Sequence, residues 1–423
     1  MSMDFATLPK GNFTLKNVTI PAAVMGQPGD LIRTDIAIAD GQIVTAPGGE
    51  IIDMKGAMVL PTFVDCHTHL DKGHILPRAQ NPDGTFLGAL TNVRGDHPNW
   101  TPEDVKTRAD FSIRTAYAHG TRAIRTHVDS MNGQYARSWP VMDDLRAKWA
   151  GRVDLQMASL IACDRFDEPE YAQIADTVAT YGGALGMVTY PLPDLKRILL
   201  GHLEAAGQRG LSIDFHADET MDPESETLRL IAECILETGF DAPVLAGHCC
   251  SLSTQAEARA LDTLDLIAKA GINVVSLPMC NMYLQDRHTA RTPRGRGVTL
   301  AHEMKARGIR VSFASDNTRD PFFAYGDMDM LEVMREATRI AHLDHADPDW
   351  PLSFTATPAK VCGFAPTSIT AGSPADFVIF NARNWSELLS RPQMDRIVLR
   401  GGAAIDRTLP HYSELDPLFE VPA

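Results

Sequence analysis

Residues 58–65, MVLPTFVD, mark the point at which the pattern of the chain changes. Before them the sequence consists of short β-like segments interrupted by glycine turns, such as TDIAIADGQIVTA with its Asp40-Gly41 hairpin signal. After Val59, apolar strand-like runs alternate with stretches of about 20 to 50 residues that carry amphipathic helical patterns. This alternation is typical of repeated βα units, which build a parallel sheet.

Eight strand-like runs follow this rhythm, and the segments between them include clear helices. In residues 102–119, for example, Thr101 can cap the first turn and Gly120 can end the helix. Because eight βα units close into a ring, we predict an α/β fold, specifically a (β/α)8 TIM-type barrel. The runs are MVLPTFVD (58–65), TRAIRTHVD (121–129), VDLQMASLI (153–161), GALGMVTY (183–190), LSIDFHAD (211–218), PVLAGHC (243–249), INVVSLP (272–278) and IRVSFASD (309–316).

The β-like character returns near the end of the chain. It is found in ADFVIF (375–380) and in DRIVLRGGAAID (395–406). Because similar segments precede the barrel, we expect the N- and C-terminal segments to build one small β-sandwich domain into which the barrel is inserted. The predicted boundaries are residues 1–58 and 366–423 for the two parts of the β-sandwich and residues 59–365 for the barrel.

Composition excludes several classes of partner. With 44% hydrophobic and 22% charged residues, the chain is typical of a folded soluble protein. A formal net charge of −15, with Arg291–Arg296 as the longest basic cluster, argues against nucleic acid as a partner. No apolar run is long enough to span a membrane, and the first residues do not resemble a signal peptide. The seven cysteines contain no CxxC pair, which favours a reducing cytoplasm.

Candidate metal ligands lie at the ends of the predicted strands. His67 and His69 are two residues apart on an extended segment, so both imidazoles point to the same side. Such a pair is weak evidence alone, because 14 histidines in 423 residues yield about 0.4 such pairs by chance. However, His216, His248 and Asp316 each follow another strand, and functional groups of a barrel lie at the C-terminal ends of its strands. Together they predict one metal site.

The chemical types of these residues limit the metal and the reaction. Imidazoles with one carboxylate suit Zn²⁺ or Fe²⁺ and leave a position open for water, whereas Mg²⁺ prefers oxygen ligands. Glu219 lies three residues after His216, where a carboxylate can reach that water without coordinating the metal. A carboxylate at the start of the next helix is the alternative interpretation of Glu219.

Four motifs, in this order and spacing, resemble the amidohydrolase superfamily and specifically its cytosine deaminase-like branch. The resemblance covers nearly the whole chain, and RTHVD (125–129) and the loop NMYLQDRHTARTPRGRGVT (281–299) support the branch. The ending AGSPADFVIF is similar to the superfamily's return to its β-sandwich. The four motifs are PTFVDCHTHLDKGH (61–74), IDFHADE (213–219), AGHCCS (246–251) and FASDNTRDP (313–321).

The resemblance implies roles for individual residues. It implies metal ligation by His67, His69, His216 and Asp316, proton shuttling by Glu219, and contact of His248 with the substrate or transition state. We expect Asp316 also to accept a proton from the attacking water. Thr189 and Tyr190 stand where binuclear relatives keep a bridging lysine, so the resemblance implies one divalent metal, Zn²⁺ or Fe²⁺.

The substrate pocket departs from that of the cytosine-specific members. Ala162 or Cys163 stands where those enzymes end the third strand with a glutamine that reads the pyrimidine. Asn317 replaces a second aspartate, and ASDNTRD is closer to the s-triazine hydrolases of the isopropylammelide type. Phe322 or Phe323 takes the place of their ring-stacking tryptophan, and Asn281 and Gln285 of the 281–299 loop are further candidate substrate contacts.

We therefore predict a metal-dependent hydrolytic deaminase of a small aminated N-heterocycle. The ring is a cytosine-like pyrimidine or a related ring, since pyrimidine, triazine, pterin and creatinine-like substrates would use the same chemistry. Alternatives are an s-triazine N-alkylamine hydrolase, a hydantoinase-like cyclic-amide hydrolase and a non-enzymatic scaffold relative. Residues 76–100 form either a lid over the site or an ordinary connection, and the sequence leaves the oligomeric state open, a homo-oligomer included.

Overall fold

The computed structural model describes residues 4–345 and 347–419. The described strands are β1 (Phe13–Pro21), β2 (Leu31–Ala39), β3 (Gln42–Val44), β4 (Glu50–Asp53), β5 (Met58–Pro61), β6 (Phe63–Thr68), β7 (Thr121–Asp129), β8 (Asp154–Leu160), β9 (Leu185–Thr189), β10 (Ile213–Ala217), β11 (Val244–His248), β12 (Asn273–Ser276), β13 (Val311–Phe313), β14 (Phe377–Phe380), β15 (Ile397–Arg400) and β16 (Ala403–Ala404).

The described α-helices all lie after β6 in the chain, and most of them separate successive barrel strands. They are α1 (Phe86–Asp96), α2 (Pro102–His119), α3 (Tyr135–Trp149), α4 (Pro169–Tyr181), α5 (Leu195–Gln208), α6 (Thr227–Thr238), α7 (Glu257–Ala270), α8 (Pro278–Leu284), α9 (Ala301–Ala306), α10 (Met330–Ala341), α11 (Ala356–Cys362) and α12 (Trp385–Ser390). Helix α2 has the predicted bounds, and the Thr101 hydroxyl accepts a hydrogen bond from the backbone N–H of Asp104. No helix of the described ranges is long and apolar enough to cross a bilayer.

Strands β6 to β13 form a closed ring, which confirms the barrel. Strands β6, β7 and β8 form one sheet, and β9 to β13 form a second, parallel one. Parallel bridges join the two sheets at Ala158 and Ala184, and again at Ala162 and Val188. On the other side Thr68 pairs with Asp316, so the first strand of the ring is bridged to the segment after the last strand.

The barrel strands consist mainly of apolar residues because both of their faces are buried. All residues of β10, β11 and β12 are buried, as expected for parallel strands that are covered on both faces. Helix α6 shows the complementary pattern, since Leu228, Ile231, Ala232 and Ile235 are buried at the spacing of one helical face. It ends where Gly239 adopts a left-handed conformation and donates its N–H to the Ile235 carbonyl.

The two ends of the chain build the β unit that the sequence predicted. Its eight strands follow the order β16-β15-β14-β5-β1-β2-β3, with β4 beside β1. The run 58–65 differs from its expected form, because it supplies two strands. Strand β5 pairs antiparallel with β14 in this β unit, whereas the barrel begins only at Phe63. Pro61 lies at the break, and it lacks the N–H that a continuous central strand requires.

The chain divides into two compact units. One comprises the residues up to Asp65, Arg114–Ala123 and Asp329–Pro410, and the other comprises Cys66–Ile113, Ile124–Met328 and the residues from His411 onward. The predicted boundaries at residues 58 and 365 remain a proposal. All candidate site residues named from the sequence lie in the second unit.

Candidate metal centre and active site

Three imidazoles converge at the C-terminal ends of two barrel strands. His67 lies near the end of β6, His69 follows that strand, and His216 lies in β10. The Nε2 atom of His216 is 3.1 Å from Nε2 of His67 and 3.4 Å from Nε2 of His69. All three side chains are buried. The structure thus brings together the three histidines that the sequence selected as ligands.

The fourth candidate ligand, Asp316, reaches the same point from the end of β13. Its Oδ1 atom lies 3.3 Å from Nε2 of His69 and 3.6 Å from Nε2 of His67. The backbone N–H of Asp316 donates to the carbonyl of His67 at 2.9 Å, which fixes the aspartate beside β6. Asp316 adopts a φ of 67°, which directs the chain away from the strand at this residue.

These four side chains are of the types that suit a divalent cation. By the distances between their ligand atoms, His67, His69 and His216 group with His127, and Asp316 groups with His67 and His248. Burial lowers the pKa of His67, His69 and His216 well below the usual range, so the imidazoles are neutral and can offer lone pairs. Lone pairs and a carboxylate oxygen that converge within a few ångströms repel one another unless a cation lies among them. Three nitrogens and one oxygen suit Zn²⁺ or Fe²⁺ and are a poor set for Mg²⁺.

Glu219 and His248 lie next to each other beside this cluster. The Oε1 atom of Glu219 is 3.5 Å from Nδ1 of His248, and the Glu219 carbonyl accepts a hydrogen bond from the side chain of Gln285. Burial, followed by the negative charge of Asp316, raises the pKa of Glu219 well above its usual range. The raised pKa favours the protonated form of the carboxyl group, which can act as an acid.

The hydrogen bond from Asn281 sets the tautomer of His248. The Asn281 Nδ2 group, which can only donate, lies 2.9 Å from Nδ1 of His248. Burial, with a smaller contribution from His127, lowers the pKa of His248 to about 3, so the ring is neutral. With the Asn281 amide in this orientation, the single proton of the ring lies on Nε2, which has no protein partner within the described ranges. His248 can therefore donate a hydrogen bond into the site.

His127 also belongs to this cluster, although the sequence analysis did not select it. Its ring centroid lies 4.0 Å from that of His67, and its Nε2 atom is 3.2 Å from Oδ1 of Asp214. The other oxygen of Asp214 accepts a hydrogen bond from Arg125, which also donates to Gln156. The available signal was the alternation of β7, where Arg125, His127 and Asp129 occupy one face of the strand.

A cavity of about 580 Å³ opens onto the cluster, within the range usual for small-molecule sites. His69, His216, Glu219 and His248 line it. Most of the other candidate substrate contacts also line it: Ala162, Gln285, Asn317 and Phe322.

The remaining alternatives contact other parts of the protein. The thiol of Cys163 points to the carbonyl of Tyr190, and Phe323 packs edge-on against Tyr283. Asn281 contacts His248, as described above. Of the two pairs that the sequence left open, Ala162 and Phe322 line the cavity.

Segment 76–100 forms one wall of the cavity. It contains α1, whose residues Leu90 and Val93 line the cavity together with Phe86 and His97. Phe86 contacts Phe322 edge-on, with 5.4 Å between the ring centroids. The segment thus covers the site with a helix rather than with an extended loop.

Comparison with known proteins identifies the family. The amidohydrolase family matches residues 175–404. The chain is 51% identical to the pterin deaminase of Rhizobium rhizogenes, over 98% of this chain and 99% of that protein. It is 24% identical to the N-isopropylammelide isopropyl amidohydrolase of Pseudomonas sp., over 78% of this chain and 81% of that protein.

A solved structure supports the same assignment. The 5-methylcytosine deaminase of Klebsiella pneumoniae, liganded with 5-fluorocytosine, has a TM-score of 0.79 and 25% identity, and the match covers 94% of this chain and 98% of that one. The protein is a hydrolase that acts on carbon–nitrogen bonds and deaminates a heterocycle, and its family implies a divalent metal. The chain belongs to the amidohydrolase family, in its cytosine deaminase-like branch.

Proposed function

We propose that the protein hydrolyses the exocyclic amine of a 2-amino-4-oxopteridine, the ring system of pterin. The observation that carries this proposal is the 51% identity to a pterin deaminase over 98% of the chain. A cavity of about 580 Å³ supports it, because this space accommodates a two-ring substrate as well as a single pyrimidine. Ala162 also supports it, since its small side chain leaves room beside the ring.

In this proposal His67, His69, His216 and Asp316 hold one Zn²⁺ or Fe²⁺. When bound, such a cation lowers the pKa of a coordinated water to about 7, against about 15.7 in bulk. The protein itself supplies the remaining proton transfers. The carboxylate of Asp316 accepts the proton that the attacking water loses, and the Nε2–H group of His248 donates to the oxygen that adds to C2 of the ring.

Glu219 moves protons between the ring and the leaving group. The raised pKa of Glu219 favours its acid form, which protonates the ring nitrogen next to C2 while the water oxygen bonds to that carbon. The added hydroxyl then gives its proton to the Glu219 carboxylate, which passes it to the amine, and the bond between C2 and the exocyclic nitrogen breaks to release ammonia. The proton held by Asp316 returns to Glu219 and restores both residues. One water is consumed, and the products are ammonia and a 2,4-dioxopteridine.

A second candidate is an s-triazine N-alkylamine hydrolase of the isopropylammelide type. The observation that favours it is the match to the N-isopropylammelide enzyme of Pseudomonas sp., which extends over 78% of this chain. Its lower identity of 24% places it behind pterin deamination. Cytosine ranks lower, because Ala162 stands where cytosine-specific members have a glutamine.

An amine-release screen tests these alternatives directly. Protein loaded with Zn²⁺ or Fe²⁺ is incubated with pterin, cytosine, 5-methylcytosine, N-isopropylammelide and hydantoin, and ammonia, isopropylamine and ring products are quantified. We expect one ammonia for each 2,4-dioxopteridine formed from pterin. Release of isopropylamine from N-isopropylammelide without ammonia from pterin would replace the proposal by the triazine reaction. Opening of hydantoin alone would indicate a cyclic-amide hydrolase.

We also propose a cytoplasmic location, a small-molecule substrate as the main partner and no binding to nucleic acid. All seven cysteines are free and buried, which is consistent with a reducing compartment. Size-exclusion chromatography with light scattering would determine whether the protein forms a homo-oligomer.

A further inference from the structure

Lys72 lies in the substrate cavity, three residues after the candidate ligand His69. Its side chain is buried, although lysine is almost never fully buried unless it is paired. The Nζ atom is 3.0 Å from Oδ1 of Asp129 and 5.4 Å from the centroid of the Phe322 ring. Both Asp129 and Phe322 also line the cavity. An ammonium group is thus fixed where a substrate ring must enter.

Its surroundings keep Lys72 charged. Burial opposes the charge, but the carboxylates of Asp129, Asp71 and Asp320 more than compensate, and the pKa of Lys72 lies above its usual value. Asp129 is itself held in place, since its backbone N–H donates to Asp71 and its second oxygen lies 3.4 Å from Nε2 of His97. The lysine is therefore a preorganised cation rather than a flexible one.

The ammonium group retains unused donors. It has three N–H bonds, and Asp129 is the only hydrogen-bond acceptor that the described residues provide for Nζ. Leaving polar hydrogens unpaired in a buried place is unfavourable, so the remaining donors require an acceptor in the cavity. A ring carbonyl oxygen is the acceptor that an oxo-substituted aminoheterocycle provides.

We propose that Lys72 donates a hydrogen bond to the ring carbonyl of the substrate and thereby selects amino-oxo heterocycles over rings that carry the amine alone. This inference rests on the proposed function. When water adds to C2 of a 2-amino-4-oxopteridine, electron density shifts onto the neighbouring ring nitrogen before its protonation by Glu219 is complete, and this density is conjugated with the C4 carbonyl. A fixed ammonium at that oxygen interacts more strongly with the transition state than with the substrate, which accelerates the reaction.

The test combines a change in the protein with a change in the substrate. Lys72→Met and the wild type are assayed with pterin and with 2-aminopteridine, which lacks the 4-oxo group. We expect Lys72→Met to lower kcat/KM for pterin by about 100-fold, as for the loss of one charged hydrogen bond in a transition state. With 2-aminopteridine the two proteins should differ by less than about 3-fold, because no carbonyl is there to contact.

A matched control is Lys106→Met, which removes a half-exposed lysine whose Nζ is 3.9 Å from Asp144. It should leave both substrates unaffected. Binding of the product 2,4-dioxopteridine, monitored through the fluorescence of this compound, provides a readout besides turnover. Metal content is also measured in each variant. Lys72→Met should weaken this binding at unchanged metal content, and Lys72→Arg, which keeps a cationic donor, should restore part of it.

Three results would overturn the inference: equal losses on both substrates, unchanged product binding, or a wild type that does not prefer pterin over 2-aminopteridine. The last result requires no variant, so it applies even if Lys72→Met fails to fold. Absence of ammonia from every pterin would instead remove the proposed function. In that case, equal binding of 2,4-dioxopteridine by the wild type and Lys72→Met would independently reject the hydrogen bond from Lys72 to the ring carbonyl.

Discussion

The Nε2 atom of His127 lies 3.2 Å from Oδ1 of Asp214, and both side chains are fully buried. Asp214 also binds Arg125 through its second oxygen, at 2.8 Å. The ring of His127 packs in turn on that of His67. The buried ion pair of Asp214 and Arg125 therefore contacts the candidate ligand His67 through His127. Residues that contact metal ligands in this way orient them.

We predict that Asp214→Asn weakens metal binding by about 10- to 100-fold, the usual effect of losing a residue that orients ligands. The substitution keeps the shape of the side chain but leaves Arg125 without its carboxylate. Metal affinity is measured on folded protein by competition with a chelator of known strength. Asp262→Asn, on the exposed face of α7, is the control. An unchanged affinity in Asp214→Asn would show that this network does not support the metal.

Glu219→Gln should retain the metal and lose at least about 1,000-fold in kcat, because an amide can accept a hydrogen bond but cannot shuttle a proton. Metal content by mass spectrometry and steady-state rates with pterin test this. Glu257→Gln makes the same change at an exposed position in the first turn of α7 and should behave as the wild type. Near-normal turnover in Glu219→Gln would remove the shuttle role.

Phe322→Ala should raise KM by about 10-fold with little change in kcat, since aromatic stacking contributes about 0.5–1.5 kcal/mol beyond the area it buries. Phe323 is the matched control, because it packs against Tyr283 and Tyr325. Phe323→Ala should lower the melting temperature and leave KM nearly unchanged. The opposite pattern would assign ring stacking to Phe323.

Asp329 and Arg396 form a bidentate buried ion pair with two contacts of 2.7 Å. Burial raises the pKa of Asp329, but the charges of Arg396 and His119 lower it by a larger amount. The pKa of Asp329 therefore lies well below its usual range. The carboxylate therefore stabilises the fold above its unfolded pKa of about 3.9, and this contribution is lost as the pH falls toward the folded value.

Removing one partner of such a pair should be costly at neutral pH. We expect Asp329→Asn to lower the free energy of unfolding by about 3–5 kcal/mol at pH 7, with a smaller difference from the wild type below about pH 4. Urea unfolding at several pH values measures both effects. Asp241→Asn, at an exposed loop position, should change stability by less than about 0.5 kcal/mol. A difference that grows as the pH falls would contradict the assigned sign.

The sequence was sufficient to predict the barrel and the convergence of His67, His69, His216 and Asp316. The reason is geometric, since all parallel strands of a barrel point their C-terminal ends to the same side. His127 escaped notice because it lies within the strand run rather than after its end, where a buried histidine resembles ordinary core. Its polar partner Asp214 lies on another strand, and that proximity arises from the strand order of the barrel.

The run 58–65 and Lys72 show two further limits of sequence reasoning. An unbroken apolar run does not reveal that Pro61 ends one strand and that the next belongs to a different sheet. Similarly, a lysine after a strand is usually solvated, and nothing local indicates that Asp129 lies within reach of its ammonium group. Both facts depend on which strands become neighbours, and this depends on the whole fold.

The hydrogen bond between the Asp316 N–H and the His67 carbonyl joins the two ends of the barrel's strand series. His67 lies in β6, the first barrel strand, and Asp316 follows β13, the last one. A cation held by both residues would therefore also link the first and last strands of the barrel. Loss of the metal should therefore weaken the contact between β6 and the segment after β13 before it disturbs the opposite side of the barrel. Two of the residues proposed to hold the metal therefore also join the first and last strands of the barrel through their backbones.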